Sequence, residues 1–194
     1  MIPALWTSPP LTAEESARWT TSEERAAAAG FVSERRRAEF LTWRAVVRRE
    51  LGDDVGIAYD ALGAPVLTNR AVHISVAHCA GRIAVCASPE RCAVDIEPAT
   101  RDFRRAASRY LTPEEEALSD DPLLPGIVWC AKRRSTSMPD AGSWISGGIC
   151  TSCGSTLLPG RWRDGSETES RSGSPSLWTK VLSSYIFFRM LPKR

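Results

Sequence analysis

The sequence predicts a fold that mixes α-helices with short β-strands, because the spacing of its apolar residues changes along the chain. Between residues 12 and 51, apolar side chains recur at helical spacing behind capping residues. From Val55 to Ile96 they come instead in short runs and alternations that are typical of strands. Turn residues separate these runs, so we expect several short strands followed by further helices.

Three helices are predicted in the first 52 residues. Thr12 and Glu15 form a capping box that satisfies the first free amides of a helix. A second helix covers residues 22–30, and a third is capped by Ser33 and ends at Gly52. The apolar residues that recur along the third helix are Phe40, Trp43, Val47 and Leu51. The same helix carries the arginines Arg35, Arg36, Arg37 and Arg44.

Short strands are predicted after the third helix. The first two form a hairpin around a turn at residues 60–65. The next three are bounded by Gly, Pro or charged residues and cover residues 72–77, 83–87 and 92–96. Further helices are expected at residues 103–110, from Thr112, and at 124–132.

Composition excludes some classes of protein. At 194 residues the chain can bury a core, and it has no apolar run near the roughly 18 residues that cross a bilayer. Its first residues lack the basic and apolar regions of a secretory signal. We therefore expect a cytoplasmic protein that contacts no membrane. No basic patch interleaved with aromatic residues precedes Lys132, so we expect no nucleic-acid partner.

The chain changes character near Lys132. Residues 1–132 contain 16 Lys and Arg against 19 Asp and Glu, whereas residues 133–194 contain 9 against 4. Serine occurs 8 times in the first segment and 13 times in the much shorter second one. The second segment also lacks sustained periodicity, so we expect a disordered tail there.

The six cysteines are expected to be buried, small apolar residues. They are spread through a chain that is too long for a disulfide scaffold. The pair Cys150 and Cys153 has no second pair to complete a zinc site, so we assign it no metal.

Asp95 and Glu97 are the candidate metal ligands. They alternate with Val94 and Ile96 on a predicted strand, which places both carboxylates on one face. Two carboxylates so placed could share Mg²⁺ on a substrate phosphate. The structural alternative is that the two carboxylates simply lie on a solvated strand face. A further functional alternative is that Asp95 and Glu97 belong to an unrelated metal-dependent phosphohydrolase.

The preceding strand carries His73, Ser75 and His78. A histidine there could bind phosphate, or it could simply pack within a loop, since neither histidine has a metal-ligand spacing to a neighbour. The arginines of the third helix similarly could bind an anion or lie on a solvated face.

The order of these features resembles the two-lobed 4′-phosphopantetheinyl transferases, which activate carrier proteins. The resemblance runs from about Ser33 to Lys132, and its pieces are individually weak but specific as an ordered set. After the basic helix they are Gly63-Ala-Pro65, His73-Ile-Ser75 with His78, Ala93-Val-Asp95-Ile-Glu97, Phe103, Tyr110-Leu-Thr-Pro-Glu-Glu115 and Trp129-Cys-Ala-Lys132.

The resemblance implies an α+β fold of the 4′-phosphopantetheinyl transferase type, with two pseudo-equivalent lobes and coenzyme A in the cleft between them. The N-terminal lobe would cover residues 1–90. The second lobe would begin at residues 91–132 and be truncated or scrambled after about residue 132. Its missing strands would leave apolar surface exposed, from which we expect poor stability or aggregation.

The implied activity is transfer of the 4′-phosphopantetheine group from coenzyme A to a serine of an acyl or peptidyl carrier protein. In such enzymes the residues matching Asp95 and Glu97 hold Mg²⁺. Glu115, for water or proton handling, and Lys132 are the catalytic candidates. The residues matching Arg44 and His78 contact the coenzyme A phosphates, with Ser75 nearby. This chain departs from the family pattern at Val76-Ala77 and at Ala64.

A frameshift explains the largest departure, which follows Lys132. The family helix continues with a glutamate, a third metal ligand, and then a phosphate-side lysine, whereas this chain has Arg133-Arg134-Ser135-Thr136-Ser137. Permitted codons for residues 132–146, with one base added after the Lys132 codon, read K-E-A-L-Y-K-Y-A-G-R-R-E-L-D-F. We therefore interpret residues 133–194 as an out-of-frame product, and expect little or no turnover from this chain. The alternative is a non-catalytic remnant that binds coenzyme A or a carrier protein.

Overall fold

Two compact units make up the chain. The computed structural model describes residues 4–117, 120–135, 177–182 and 185–190. The first unit contains residues 4–92, and the second contains the other described residues, from Ala93 onward. The division lies two residues beyond the predicted boundary between residues 90 and 91.

The first unit combines three helices with two small antiparallel sheets. The helices are α1 (Ala13–Ala17), α2 (Ser22–Ala29) and α3 (Glu34–Leu51). The strands are β1 (Ala4–Ser8), β2 (Ile57–Tyr59), β3 (Pro65–Leu67), β4 (His73–Cys79) and β5 (Arg82–Ser88). One sheet has the order β1-β5-β4, and β2 and β3 form a separate hairpin.

Local sequence determines where the helices of this unit begin and end. The predicted capping box of Thr12 and Glu15 is present, and Thr21 and Glu24 form a second one at the start of α2. The Ser33 hydroxyl accepts the first cap hydrogen bond of α3. Gly52 ends that helix at a φ of 117°, which favours glycine.

The core of the first unit lies where α3 packs against the sheet. Its centre is formed by apolar residues of α3, β1, β4 and β5, among them Trp6, Trp43, Val47, Ile83 and Val85. Trp6 belongs to β1, a strand that the sequence pattern does not predict. β1 has only five residues, both polar and apolar, and such a short pattern cannot be distinguished from that of a loop. These residues form a strand because they pair with β5.

The second unit contains strands, a 3₁₀ helix at Arg104–Arg109 and two α-helices. Its strands are β6 (Ala93–Pro98), β7 (Leu177–Leu182) and β8 (Tyr185–Met190), in the order β6-β8-β7. Its helices are α4 (Pro113–Glu116) and α5 (Leu124–Ser135), and α5 packs on β6. The 3₁₀ helix lies in the region where a helix over residues 103–110 was predicted.

The predicted disordered tail needs correction at two stretches. β7 and β8 lie within residues 133–194, and β8 pairs antiparallel with β6 along its whole length. Both strands come from apolar, β-forming segments, LWTKVL and YIFFRM, which differ from the serine-rich sequence before them. Residues 136–176, with Cys150 and Cys153, lie outside the described residues, as do 183–184 and 191–194.

The architecture is α+β, with small antiparallel sheets and the helices in separate segments. None of the helices in the described part of the chain is both long and apolar enough to cross a membrane. The four cysteines in the same part form no disulfide with one another, and Cys86 and Cys130 are buried.

Candidate functional site

β6 places Asp95 and Glu97 inside the second unit. Every residue of the strand is buried except Pro98. Asp95 is only 2% exposed and Glu97 only 3% exposed, so the alternative of a solvated strand face does not hold for this pair. Burying two carboxylates on one strand is costly unless cations or hydrogen-bond donors compensate them.

Three donors surround the Glu97 carboxylate. Its Oε2 atom lies 2.9 Å from Nη1 of Arg101, which is four residues further along the chain. Its Oε1 atom accepts from the indole Nε1 of Trp129 at 3.3 Å and from Nη1 of Arg133 at 2.7 Å. Both carboxylate oxygens are therefore engaged, each with a guanidinium.

The same Arg133 nitrogen also faces Asp95, at 3.7 Å from Oδ2. The thiol of Cys130, on α5, is a further neighbour and hydrogen-bonds to Asp95. Burial raises the pKa of Cys130 far above its usual range, and the negative charges of Asp95 and Glu97 add to that shift. Cys130 is thus a protonated, inert thiol that donates to the carboxylate, and it is not a nucleophile.

This arrangement does not fit Mg²⁺, the ion that the resemblance implies. Among the described residues, the two carboxylates already face two guanidiniums, those of Arg101 and Arg133, which offset their charges. Mg²⁺ requires carboxylate oxygens in its own coordination sphere at near-octahedral geometry. Within the described ranges, no group of three or more His, Cys, Asp or Glu side chains is placed to hold a metal ion. We therefore derive no metal-dependent step for this chain.

Glu115 and Lys132 form a further ion pair in this unit. Lys132 Nζ lies 2.7 Å from Glu115 Oε2 and also donates to the backbone carbonyl of Tyr110. Glu115 is at the same time the third residue of the capping box that begins α4, where Oε2 accepts from the amide of Thr112 at 2.9 Å. The two predicted catalytic residues thus lie together. Lys132 directly precedes Arg133 on α5. One helix thus supplies a cation both to Glu115 and to the Asp95 and Glu97 carboxylates.

Aromatic packing supports the site. The rings of Trp129 and Tyr110 meet edge to face, with their centroids 5.2 Å apart. The Arg101 guanidinium lies 5.5 Å from the Trp129 ring centroid and 5.2 Å from that of Phe103. The Tyr110 hydroxyl donates to the carbonyls of Phe103 and Pro125, at 3.3 and 3.0 Å. These contacts fix the indole whose N–H reaches Glu97.

Sequence reasoning did not assign Arg101, Cys130 or Arg133 to this site. A signal for Arg133 is present in the spacing. Arg133 follows Trp129 by four residues, which places the two one helical turn apart on the same face of α5. Arg101 follows the end of strand β6 and lies outside the helices, so its spacing from Glu97 gives no such signal. The frameshift interpretation instead makes Arg133 the first residue of the out-of-frame segment.

Arg44, a predicted coenzyme A contact, lies inside the first unit at 3% exposure. Its guanidinium donates to the Phe40 carbonyl at 2.9 Å and to the Tyr59 hydroxyl at 2.7 Å. Its Nε lies 3.4 Å from Glu24 Oε1, and its guanidinium carbon lies 3.4 Å from the Phe40 ring centroid. Burial lowers the pKa of Arg44, against the opposing effects of Tyr59 and Glu24. These contacts occupy Arg44 within its own unit, so contact with a phosphate would require it to rearrange.

His78 is exposed at the end of β4 and contacts α3. Its Nδ1 lies 3.3 Å from Glu39 Oε1, and its Nε2 lies 3.5 Å from Nη1 of Arg36. Glu39 also pairs with Arg35 at 2.8 Å. Ser75 is half-buried and lies three positions before His78, so the strand alternation places the two on opposite faces of β4. The expected cluster of phosphate contacts is therefore divided between the two faces.

No protein-family model matches this sequence, and no curated protein shows significant similarity to it. The likeness to the transferases consequently depends on the ordered motifs quoted above.

Proposed function

We propose that the protein is of the two-lobed 4′-phosphopantetheinyl transferase type, and that its site derives from one that transfers the 4′-phosphopantetheine group from coenzyme A to a carrier-protein serine. In this reaction the serine oxygen forms a bond to the phosphorus that bears pantetheine. The bond from that phosphorus to the bridging pyrophosphate oxygen breaks, and 3′,5′-ADP leaves. The serine proton passes to a base, for which Glu115 is the candidate.

One observation carries the proposal: Asp95 and Glu97 are buried side by side, in a unit that also holds the Lys132–Glu115 pair. Buried carboxylates opposed by cations are frequent at sites of phosphate and proton chemistry. The residues that the motifs assign to that chemistry are those that this unit places on β6, α4 and α5. Lys132 could also offer its charge to a phosphate, because its side chain is partly exposed.

A second candidate function is binding of coenzyme A or of a carrier protein without transfer. The contact of Arg133 with both carboxylates favours this reading for the chain with its present sequence. With those charges already compensated by guanidiniums, the site lacks the negative cluster on which the resemblance depends. We therefore expect weak or undetectable transfer from this chain.

The experiment pairs isothermal calorimetry of coenzyme A with the intact mass of an apo carrier protein after incubation. We expect coenzyme A to bind and the rate of holo-carrier formation to fall at least about 100-fold below that of an active transferase on the same carrier, given the usual cost of lost transition-state charge compensation. Competition by 3′,5′-ADP is the control for a site that recognises the nucleotide end.

The two candidate functions differ in their outcomes. Turnover near that of the active enzyme would contradict the expected loss of transfer but support the transferase assignment. Absence of both coenzyme A binding and transfer would contradict the transferase assignment for this chain and the coenzyme A-binding form of the second candidate.

A further inference from the structure

We propose that the guanidinium of Arg133 is the resident cation of the Asp95–Glu97 pair and keeps divalent metal ions out of it. The pair then becomes a divalent-cation site only when Arg133 is removed. The inference concerns which cation the carboxylates hold, so it goes beyond the proposed reaction and does not depend on it.

The position of a single nitrogen carries the inference. Nη1 of Arg133 lies 2.7 Å from Glu97 Oε1 and 3.7 Å from Asp95 Oδ2. It is therefore within 4 Å of one oxygen of each carboxylate, a place that an ion shared by these two oxygens would need. A divalent ion could not take that place while the guanidinium remains there.

Burial explains why the two carboxylates need a cation at this point. Their side chains are almost completely buried, whereas that of Arg133 is 46% exposed. Two negative charges in such surroundings demand nearby positive charge. Arg101 supplies one guanidinium, but its ion pair is with the other oxygen of Glu97, Oε2. Arg133, by contrast, reaches both carboxylates.

The helix α5 fixes the position of Arg133. Trp129 lies one turn earlier on the same helix, and its indole donates to the oxygen that also accepts from Arg133. Glu97 Oε1 is thus held by two side chains of one helix face. Removal of Arg133 alone would leave the carboxylates in place, with Trp129 still bound to Glu97 and Cys130 to Asp95.

The test is a titration with Mn²⁺, with free Mn²⁺ measured by electron paramagnetic resonance. Mn²⁺ is chosen because it accepts carboxylate oxygens and is less demanding in its dehydration than Mg²⁺. The full-length parent chain should take up no Mn²⁺ at about 1 mM. Arg133→Ala and Arg133→Gln should each bind one Mn²⁺ ion, at least about tenfold more tightly than the parent chain does.

Three variants are matched controls. Arg133→Lys keeps a cation and should bind no more Mn²⁺ than the parent chain. Arg101→Ala removes the other guanidinium from Glu97 but leaves Arg133, so it too should show no gain. Adding Asp95→Asn to Arg133→Ala should abolish the gained site.

Two results would overturn the inference: equal Mn²⁺ binding by the parent chain and by Arg133→Ala, or no gain in either Arg133→Ala or Arg133→Gln. If circular dichroism shows that neither Arg133→Ala nor Arg133→Gln folds, the test is made on the parent chain instead. Its thermal midpoint should not move with about 1 mM Mn²⁺, and a rise would overturn the inference, because a ligand that binds the folded state raises that midpoint. Since no readout uses coenzyme A, failure here is distinct from failure of the proposed function.

Discussion

Arg48→Ala is expected to lower the free energy of unfolding of the first unit by about 3–5 kcal/mol, the usual cost of removing one partner from a buried ion pair. The Arg48 side chain is buried and meets Glu24 through two hydrogen bonds, of 2.7 and 2.9 Å. It also donates to the backbone carbonyls of Val55 and Trp19, each at 3.1 Å. One guanidinium thus joins α2 and α3 to the segments beside them. Its loss leaves the half-buried negative charge of Glu24 with much less compensating positive charge.

Urea unfolding followed by circular dichroism measures this effect. Arg49→Ala is the matched control, since Arg49 is the exposed neighbour of Arg48 and pairs with the adjacent Glu50, so a change within about 0.5 kcal/mol is expected. The double variant Arg48→Met with Glu24→Gln should lose less than the sum of the two single changes, because the second change removes an unpaired charge. Equal destabilisation by Arg48→Ala and Arg49→Ala would contradict this role of the buried pair.

The Arg48–Glu24 pair also makes stability depend on pH. Burial raises the pKa of Glu24, but hydrogen bonds from Arg48 and from the Thr21 amide outweigh it, so the pKa in the folded protein is lowered. A lowered carboxyl pKa gives stability that is present above the unfolded value, about 4.3, and is lost as the pH falls through the folded value. Arg48→Ala should therefore lose less stability on acidification than the parent chain does.

Trp129→Ala should have the second-largest effect, a destabilisation of the second unit by about 2–4 kcal/mol, near the lower range for removal of a large aromatic side chain. Trp129 is only half-buried, but it packs on Tyr110, contacts Arg101 and donates to Glu97. Its loss opens a void beside the carboxylate pair and removes a donor from Glu97.

Hydrogen exchange of the α5 amides, read by mass spectrometry, localises the change to this unit. Trp129→Phe keeps a ring but loses the N–H donor, so it should retain most of the protection that Trp129→Ala loses. Trp19→Ala in the first unit is the control for a tryptophan removed elsewhere. Unchanged exchange of α5 in Trp129→Ala would show that the indole does not hold the site together.

The sequence predicts those parts of the fold that local chemistry determines. The capping box at Thr12, the cap at Ser33 and the stop at Gly52 are confirmed, because each depends on hydrogen bonds or backbone angles within a few residues. β1, by contrast, depends on a partner strand about 80 positions away, and β8 pairs with a strand more than 85 positions before it. No local pattern contains that information.

The candidate site shows the same limit. Alternation correctly predicts that Asp95 and Glu97 share a strand, but burial and the choice of partner come from the packing of α5 on β6. Arg44 shows the limit from the other side. The resemblance implies that Arg44 contacts a coenzyme A phosphate, whereas in the structure its guanidinium packs among Phe40, Trp43 and Tyr59. The character of a side chain gives its chemistry, but tertiary contacts decide whether that chemistry is available.

The proposed function makes one central claim about the second unit. Its site derives from a phosphopantetheine-transfer site that a frameshift after the Lys132 codon interrupts. The most direct measurement is the intact mass of an apo carrier protein after incubation with coenzyme A, magnesium and the product of the gene with one base added after the Lys132 codon. We predict that the carrier gains the mass of one phosphopantetheine group, and that Asp95→Asn in the same product prevents the gain. An unmodified carrier, in a reaction where a known transferase modifies it fully, would contradict that origin of the site.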